Sequence, residues 1–560
     1  MSVSLEKAID NNDAKMAIPM DFMNGMMHSN DLDVLRKVQR EVIPRELSSF
    51  GAQTIGGVVS TDTLSNKLTF YVSDPRNYCD LVNSYFTADW KAVVSDNANL
   101  ALPAFLDVGG IHSCIKTLTI KIGGTILMRL DDYNKWYNVN NLVTHSAEYA
   151  DYMLANSLDG QVDMETEQDV QIQIPTTLAS LGAADLSTAG IISGLANNDG
   201  LRAQVGDIVR ITGNVAGGVQ IGRVKAFAGG TITLSPNGAN VWTVQAAGVI
   251  TEISVIRRRY KSTRSNCVNF GIAPGAAITP AAVLSQKIQW RLPVGCLSFL
   301  KYFPLPYIQN VAPLEIEFEF VDPRLALCLR DPASANAANK LGYSITRPRF
   351  VIALVEPSEK VRDMHDKQYN ANGIWFPYLN YRRFQNRLAA QETDIVATIQ
   401  TNVSSARHVF SVLAGQANDD AATVATQGVK SQSTFYRSLM NYFRFQSGSL
   451  QFPDYGNCQC GDAFASEAFA QLMLAFNLKE NTLQKMRIAP WEWQKTDSEK
   501  FIIATDLGKD NSMWTGVSLK NNFLELALNK TGQNVSYNLF TYLGFDCALC
   551  ISKETLSVFD

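Results

Sequence analysis

Two stretches in which apolar and polar residues alternate constrain this chain more than any other feature. One is Leu314-Glu315-Ile316-Glu317-Phe318-Glu319-Phe320. The other runs from Val535 to Ile551, where Val535, Tyr537, Leu539, Leu543, Phe545, Cys547, Leu549 and Ile551 share one parity. Successive side chains on a strand point to opposite faces, so both stretches read as half-buried strands of antiparallel sheets. Each closes a long β-rich half of the chain, which points to a duplicated β-sandwich. At 560 residues the chain exceeds what one hydrophobic core organises, and two or three domains are expected.

Composition narrows the function. A net charge of -4 argues against a large nonspecific nucleic-acid surface, which needs excess Lys and Arg to displace counterions. No apolar run reaches the roughly 18 residues that span a bilayer. Met1 to Asp13 carries acids and Asn where a signal peptide has an apolar core, so synthesis in a reducing compartment, cytoplasm or nucleus, is expected. The nine cysteines are scattered, unlike a disulfide-stapled secreted domain. Cys547 and Cys550 fall inside an expected strand and face opposite sides of it, which does not suit a shared metal ion. Cys458 and Cys460 are read the same way, as free thiols.

Along the chain, residues 1–48 read as an N-terminal arm. Ser29 or Asn30 caps an amphipathic helix with Val34, Leu35, Val38 and Val42 on one side, ended by Pro44. That face, with the preceding methionines, is a contact surface for a partner or a cover for its own domain. Residues 49–332 form the first sandwich. Its clearest hairpin places Leu118, Ile120 and Ile122 against Ile126, Met128 and Leu130 around Gly123-Gly124, and a helix carrying Trp136, Val139 and Val143 follows. Residues 165–258 lose charge and gain glycine. Their short, evenly spaced strands suggest a small β-barrel inserted in a loop. After a linker at 333–340, the second sandwich fills 333–560, with Phe350, Ile352 and Leu354 in its first strand and a helix near 462–477.

This order of elements resembles the double jelly-roll major capsid proteins of virophages, polinton-like viruses and relatives of adenoviruses and large DNA viruses. The resemblance covers about residues 50–330 and 340–560. It rests on the hairpin Ile115 to Leu130 with its helix, and on Phe303-Pro304-Leu305-Pro306 leading into the Leu314 strand. Ser447-Gly448-Ser449-Leu450-Gln451-Phe452-Pro453 before the second helix adds to it. So do Ile503-Ala504-Thr505-Asp506-Leu507 and Thr515-Gly516-Val517-Ser518 before the last strands. It implies an all-β fold of two tandem eight-stranded jelly rolls with a β-barrel-like insertion and a few short helices. It further implies a homotrimer that tiles the icosahedral shell of a DNA virus as a pseudo-hexagonal capsomer. The insertion then projects as a tower. Neighbouring capsomers, penton and minor capsid proteins are the expected partners, the arm reaches an inner membrane or the genome, and the protein resides in the virion.

Candidate chemistry is sparse. Glu315, Glu317 and Glu319 share one strand face and read as a wet or interfacial surface, too closely spaced for a glycosidase pair across a cleft. Arg257, Arg258 and Arg259, and Arg382 with Arg383, are the basic clusters; inter-subunit salt bridges and contact with phosphate are their two readings. Asp363-Met364-His365-Asp366 reads as a solvated loop. No spacing for a metal, a nucleotide or a nucleophile elbow occurs, and no cofactor or small-molecule substrate is expected. The alternatives are a trimeric spike or lectin-like receptor-binding protein and a carbohydrate-active jelly-roll enzyme.

Overall fold

The computed structural model describes residues 34–44, 54–55, 67–94, 104–106, 109–145, 169–173, 185–188, 191–193, 208–213, 219–228, 231–236, 250–258, 286–295, 297, 302–329, 341–416, 434–461, 465–478, 486, 488, 490–494, 498, 500–508, 514–520, 522–533, 535–553 and 555–560. The chain divides into two compact units. Met1–Gly160 with Arg264–Asp560 forms the first, and Gln161–Thr263 the second.

The first unit opens with β1 (Val34–Val42), the short β2 (Thr54–Ile55), β3 (Lys67–Val72), β4 (Tyr78–Val94), the short β5 (Ala104–Leu106), β6 (Ile115–Ile122) and β7 (Thr125–Asp131). The second unit contributes β8 (Asp169–Gln173), β9 (Asp185–Thr188), β10 (Ile191–Ser193), β11 (Ile208–Gly213), β12 (Val219–Ala228), β13 (Thr231–Pro236) and β14 (Ile250–Arg258). The first unit resumes with β15 (Gln286–Trp290), β16 (Leu314–Phe320), β17 (Leu327–Leu329) and β18 (Leu341–Pro357). After the helix Glu359–Ala371 come β19 (Ile374–Leu388), β20 (Asp394–Ile399), β21 (Ala406–Gly415), β22 (Met440–Ser447), β23 (Leu450–Phe452) and β24 (Cys458–Gln459). The helix Ala465–Ala475 leads to β25 (Ile502–Asp506), β26 (Leu524–Lys530), β27 (Tyr537–Ile551) and β28 (Leu556–Phe559).

Two sandwiches share one topology. In the first, the sheets run β1-β18-β4-β15 and β3-β16-β6-β7; in the second, β19-β27-β21-β25 and β20-β26-β22-β23. Numbering the eight principal strands of each sandwich in turn gives the order 1-8-3-6 facing 2-7-4-5, twice. This nested arrangement of Greek keys is that of a jelly roll. The core follows from the alternation. Leu314, Ile316, Phe318 and Phe320 of β16 are buried while the glutamates between them are partly exposed. Phe86 stacks on Phe350 with centroids 4.2 Å apart and meets Phe318 edge-on at 5.1 Å. Each such ring, fully buried, contributes about 1.5–3 kcal/mol.

The structure departs from the sequence reading at four places. Residues 34–42 are a strand, so the arm does not carry a helix there: Val42 pairs with Phe350, Val38 with Leu354 and Lys37 with Val355. Helical spacing of Val34, Leu35, Val38 and Val42 is overridden by backbone pairing, since propensity yields to tertiary context. Phe350, Ile352 and Leu354 therefore belong to β18, the closing strand of the first sandwich, and the boundary expected at 333–340, which lies outside the described residues, does not separate the two sandwiches. β27 is buried along its whole length, not half-buried, because both its faces are covered. His365 sits on the helix Glu359–Ala371 and is buried rather than solvated.

The hairpin of β6 and β7 forms as read, with a bulge at Ile120/Lys121. That bulge breaks simple alternation, so Leu127 and Met128 are both buried and Ile126 is exposed. Of the two turn glycines only Gly123 takes a positive φ, 57°.

In the second unit, seven strands form one antiparallel ladder in the order β8-β14-β11-β12-β13-β10-β9. Its register pairs Val209 with Val255, Ile211 with Ile253 and Val255 with Ile172. Among the described residues no pairing joins the end strands β8 and β9.

A truncation tests the reassigned first strand. Removing residues 1–45 deletes β1 and bares the edge of β18, so the shortened protein should unfold at lower denaturant than one lacking only residues 1–30. Equal midpoints would return residues 34–42 to a dispensable arm.

Candidate assembly surfaces

The surface that sets this molecule's shape is the internal junction between the sandwiches. β7 ends at Asp131, and Asp132 turns the chain in the left-handed region (φ 49°) into the helix Tyr133–Thr144. This helix is buried on nearly every side, because it lies against its own sandwich and against β19 and β27 of the other. Tyr542 on β27 donates to the Asp132 carbonyl at 3.0 Å, and Trp136 meets Tyr381 edge-on at 4.9 Å. The Arg383 guanidinium pairs with the Asp132 carboxylate and lies 5.2 Å from the Phe540 ring. Lys135, also buried, sits 4.2 Å over the same ring. Tyr378 and Asn380 both donate to the Leu127 carbonyl, at 2.7 and 3.2 Å, and Phe303 packs near Phe376. One continuous set of buried apolar side chains consequently spans both sandwiches. The C-terminal strand adds a clasp, with Phe559 beside Trp375 and Asp560 3.4 Å from Arg382.

Of the residues singled out in the sequence, Arg382 and Arg383 find partners within the chain. Arg382 donates to Thr401 Oγ1 at 3.0 Å and pairs with Asp560; Arg383 ties the two sandwiches together. Arg257 and Arg258 end β14, opposite Val170 and Asp169, while Arg259 lies outside the described residues. Val38 and Val42 lie on the edge strand β1 with Val34 and Leu35. The three glutamates of β16 form an ion-pair ladder with lysines of the flanking strands: Glu317 with Lys67 at 3.1 Å, Glu315 with Lys121 at 3.2 Å, and Glu319 with Lys116 at 3.9 Å. Sequence reasoning missed Asp132, Lys135, Tyr381 and Tyr542 as junction residues.

The described histidines serve packing. His112 stacks on Tyr137 at 3.7 Å with its Nδ1 2.9 Å from the Tyr133 hydroxyl. His365 Nδ1 is 2.7 Å from the Tyr78 hydroxyl, and His408 lies between Tyr381 and Phe410. Burial pulls His112 down to about 3 and both His365 and His408 down to about 4, from the ordinary 6.5. Among the described residues no group of three or more His, Cys, Asp or Glu is placed to hold a metal ion. Burial pushes the thiols of Cys458 and Cys550 up, to about 12 and about 11, away from reactive thiolates.

The chain is a double jelly roll. No family model matches it, and no curated protein does. Solved structures match it along most of its length. The Sputnik virophage cryo-EM structure is matched over 94% of this chain and 88% of that one, at 13% identity and a TM-score of 0.45. The Faustovirus major capsid protein is matched over 92% and 90%, at 9% identity and 0.42. The mavirus major capsid protein is matched over 90% and 89%, at 9% identity and 0.37.

Two outcomes test the double jelly roll's junction. Replacing Arg383 by Met leaves the Asp132 carboxylate only its longer pair with Lys135, at 3.9 Å, and should cost about 1–3 kcal/mol in denaturant unfolding, whereas Arg382→Met, at a more exposed pair, should cost about 0–1. Equal losses would show that the junction does not depend on Arg383. The buried histidines give a pH signature. Their folded values lie below the unfolded 6.5, so the unfolded chain binds more protons as pH falls from 6.5 toward 4. Their contribution is complete above 6.5 and declines through that window. Thermal unfolding should show the decline, and His365→Gln should shallow it; an unchanged slope would remove His365 from the account.

Proposed function

We propose that this chain is a major capsid protein, a trimeric building block that tiles the icosahedral shell of a DNA virus. The observation that carries the reading is the buried junction: two jelly rolls of one strand order are joined by a shared core. Three such chains supply six similar sandwiches, so a three-fold assembly fills a roughly hexagonal tile. On this reading shape and repeated contacts do the work. Arg383, Asp132 and the β16 glutamates support it, since their charges are engaged in holding the fold.

On this reading the protein acts in the virion beside neighbouring capsomers, with penton and minor capsid proteins at the vertices and seams. The same reading gives the N-terminal arm the task of contacting an inner membrane or the genome. Building block here means structural rather than catalytic.

The test is the purified full-length chain. Light scattering should give the mass of three chains, and electron microscopy should show six-lobed particles that associate into sheets or shells. A stable monomer would overturn the reading. Discrete trimers that bind cells or sugars and never associate would favour the spike.

A further inference from the structure

The covalent joint between the two rolls is a helix seated by very little. Glu359–Ala371 links β18 of the first roll to β19 of the second, and of its 13 residues only His365 is buried. Val361, Gln368 and Tyr369 are half-buried beside it, and Met364 is exposed. Ser358, where the helix begins, makes no capping bond with its side chain. A helix this short is marginal in water and depends on what it packs against. Here the one fully seated side chain is an imidazole.

The seat is aromatic. His365 stacks on Tyr78 of β4 with ring centroids 5.4 Å apart and planes 6° from parallel, and its Nδ1 lies 2.7 Å from the Tyr78 hydroxyl. Tyr307, on the short helix Leu305–Ile308, meets the ring edge-on at 6.4 Å and donates to Asp366 at 2.7 Å. From β18, Glu356 pairs with Arg362 at 3.6 Å, and Arg362 also donates to the Arg76 carbonyl at 3.5 Å. Past β27, the Lys553 amide donates to the Tyr369 carbonyl at 3.4 Å. Asp366 favours a charged ring, yet burial outweighs it and keeps the ring neutral. Beneath the helix, Tyr78 belongs with Tyr302 and Val355 to a small apolar cluster apart from the main core. The helix can therefore leave its seat without opening either sandwich.

We propose that the helix Glu359–Ala371 is an acid-released latch: protonation of His365 frees it from Tyr78 and bares the Tyr78–Tyr302–Val355 patch, while the shared core keeps the rolls joined. The direction follows from the two states of the ring. Seated, it takes up a proton only near 4; released into water, it does so at the ordinary 6.5. Opening therefore binds a proton. The open fraction grows about tenfold for each pH unit below 6.5, until the seated ring itself titrates near 4. Above 6.5 the ring adds no pH dependence and the latch stays closed. This inference goes beyond the capsid reading and does not depend on it, since latch and trigger lie in one chain.

Hydrogen exchange of the full-length chain tests it, read by mass spectrometry at about pH 7 and about pH 4.5 and corrected for the intrinsic pH dependence of amide exchange. Amides of the helix should exchange about fiftyfold faster at the lower pH, while those of β27 keep their protection. His365→Phe keeps a ring against Tyr78 and removes the proton site, so its helix should stay protected at both pH values. Should the phenyl ring fail to seat at neutral pH, His365→Gln removes the same proton site. Asp366→Asn keeps the imidazole and should still open in acid. Helix amides that respond to pH no more than those of β27 would overturn the latch, as would an acid response that survives in His365→Phe. Helix and β27 losing protection together would overturn it too, because that is global unfolding. A chain that proves monomeric would overturn the capsid reading and leave the latch standing.

Discussion

Burial of β27 on both faces is the constraint from which the rest of the molecule follows. A strand that ends a sandwich ordinarily turns one face to water. Here Leu539, Leu543, Phe545 and Leu549 are buried on one parity, and Phe540, Tyr542, Asp546 and Ala548 are buried on the other. Covering the second parity requires a partner, and the first roll supplies part of it: the Asp132 carbonyl accepts from Tyr542, and Lys135 lies over the Phe540 ring. Thr541 and Asp546 of β27 are matched within the second roll. Ser411 and Thr541 bond to each other at 2.8 Å, and Asp546 accepts from Ser405 at 2.6 Å and from the Trp514 amide at 2.8 Å. A buried polar group without such partners would cost about 1–3 kcal/mol.

Much of this fold was legible because strands with one wet face write a period of two into the sequence. The β6–β7 hairpin and β16 are cases where alternation, turn and burial agree. β1 and β18 were misread for a common reason. Each is defined by pairing with the other across the intervening first roll and insertion, and a local window contains no trace of that partner. β27 was found, but its second face looked polar: Asn538 and Asp546 give no sign that a neighbouring roll or an internal hydroxyl will meet them.

The candidate surfaces were less legible than the fold. Arg382 and Arg383 are adjacent in sequence, and both looked available to a partner. Strand geometry sends them to opposite faces, so Arg382 lies over Phe545 near Asp560 while Arg383 lies over Phe540 near Asp132. Similarly, Asp363 to Asp366 has the composition of a loop. The buried Tyr78–His365 stack places the helix against the first roll, and Tyr307 fixes it further by donating to Asp366 at 2.7 Å.

Charge guards the edge of the first sandwich's β1–β18 sheet. A free strand edge invites open-ended pairing, and β1 is such an edge of its sheet. Lys37, Gln39, Arg40 and Glu41 are exposed along it, with Arg40 held by Asp74 and Glu41 by Arg349. Charges fixed this way hinder strand addition, which needs backbone contact over several residues. They leave apolar positions such as Val38 and Ile43 accessible to side chains approaching from a neighbouring surface. Charged edges thus disfavour unlimited growth of the sheet, while a defined lateral contact can still build a closed assembly.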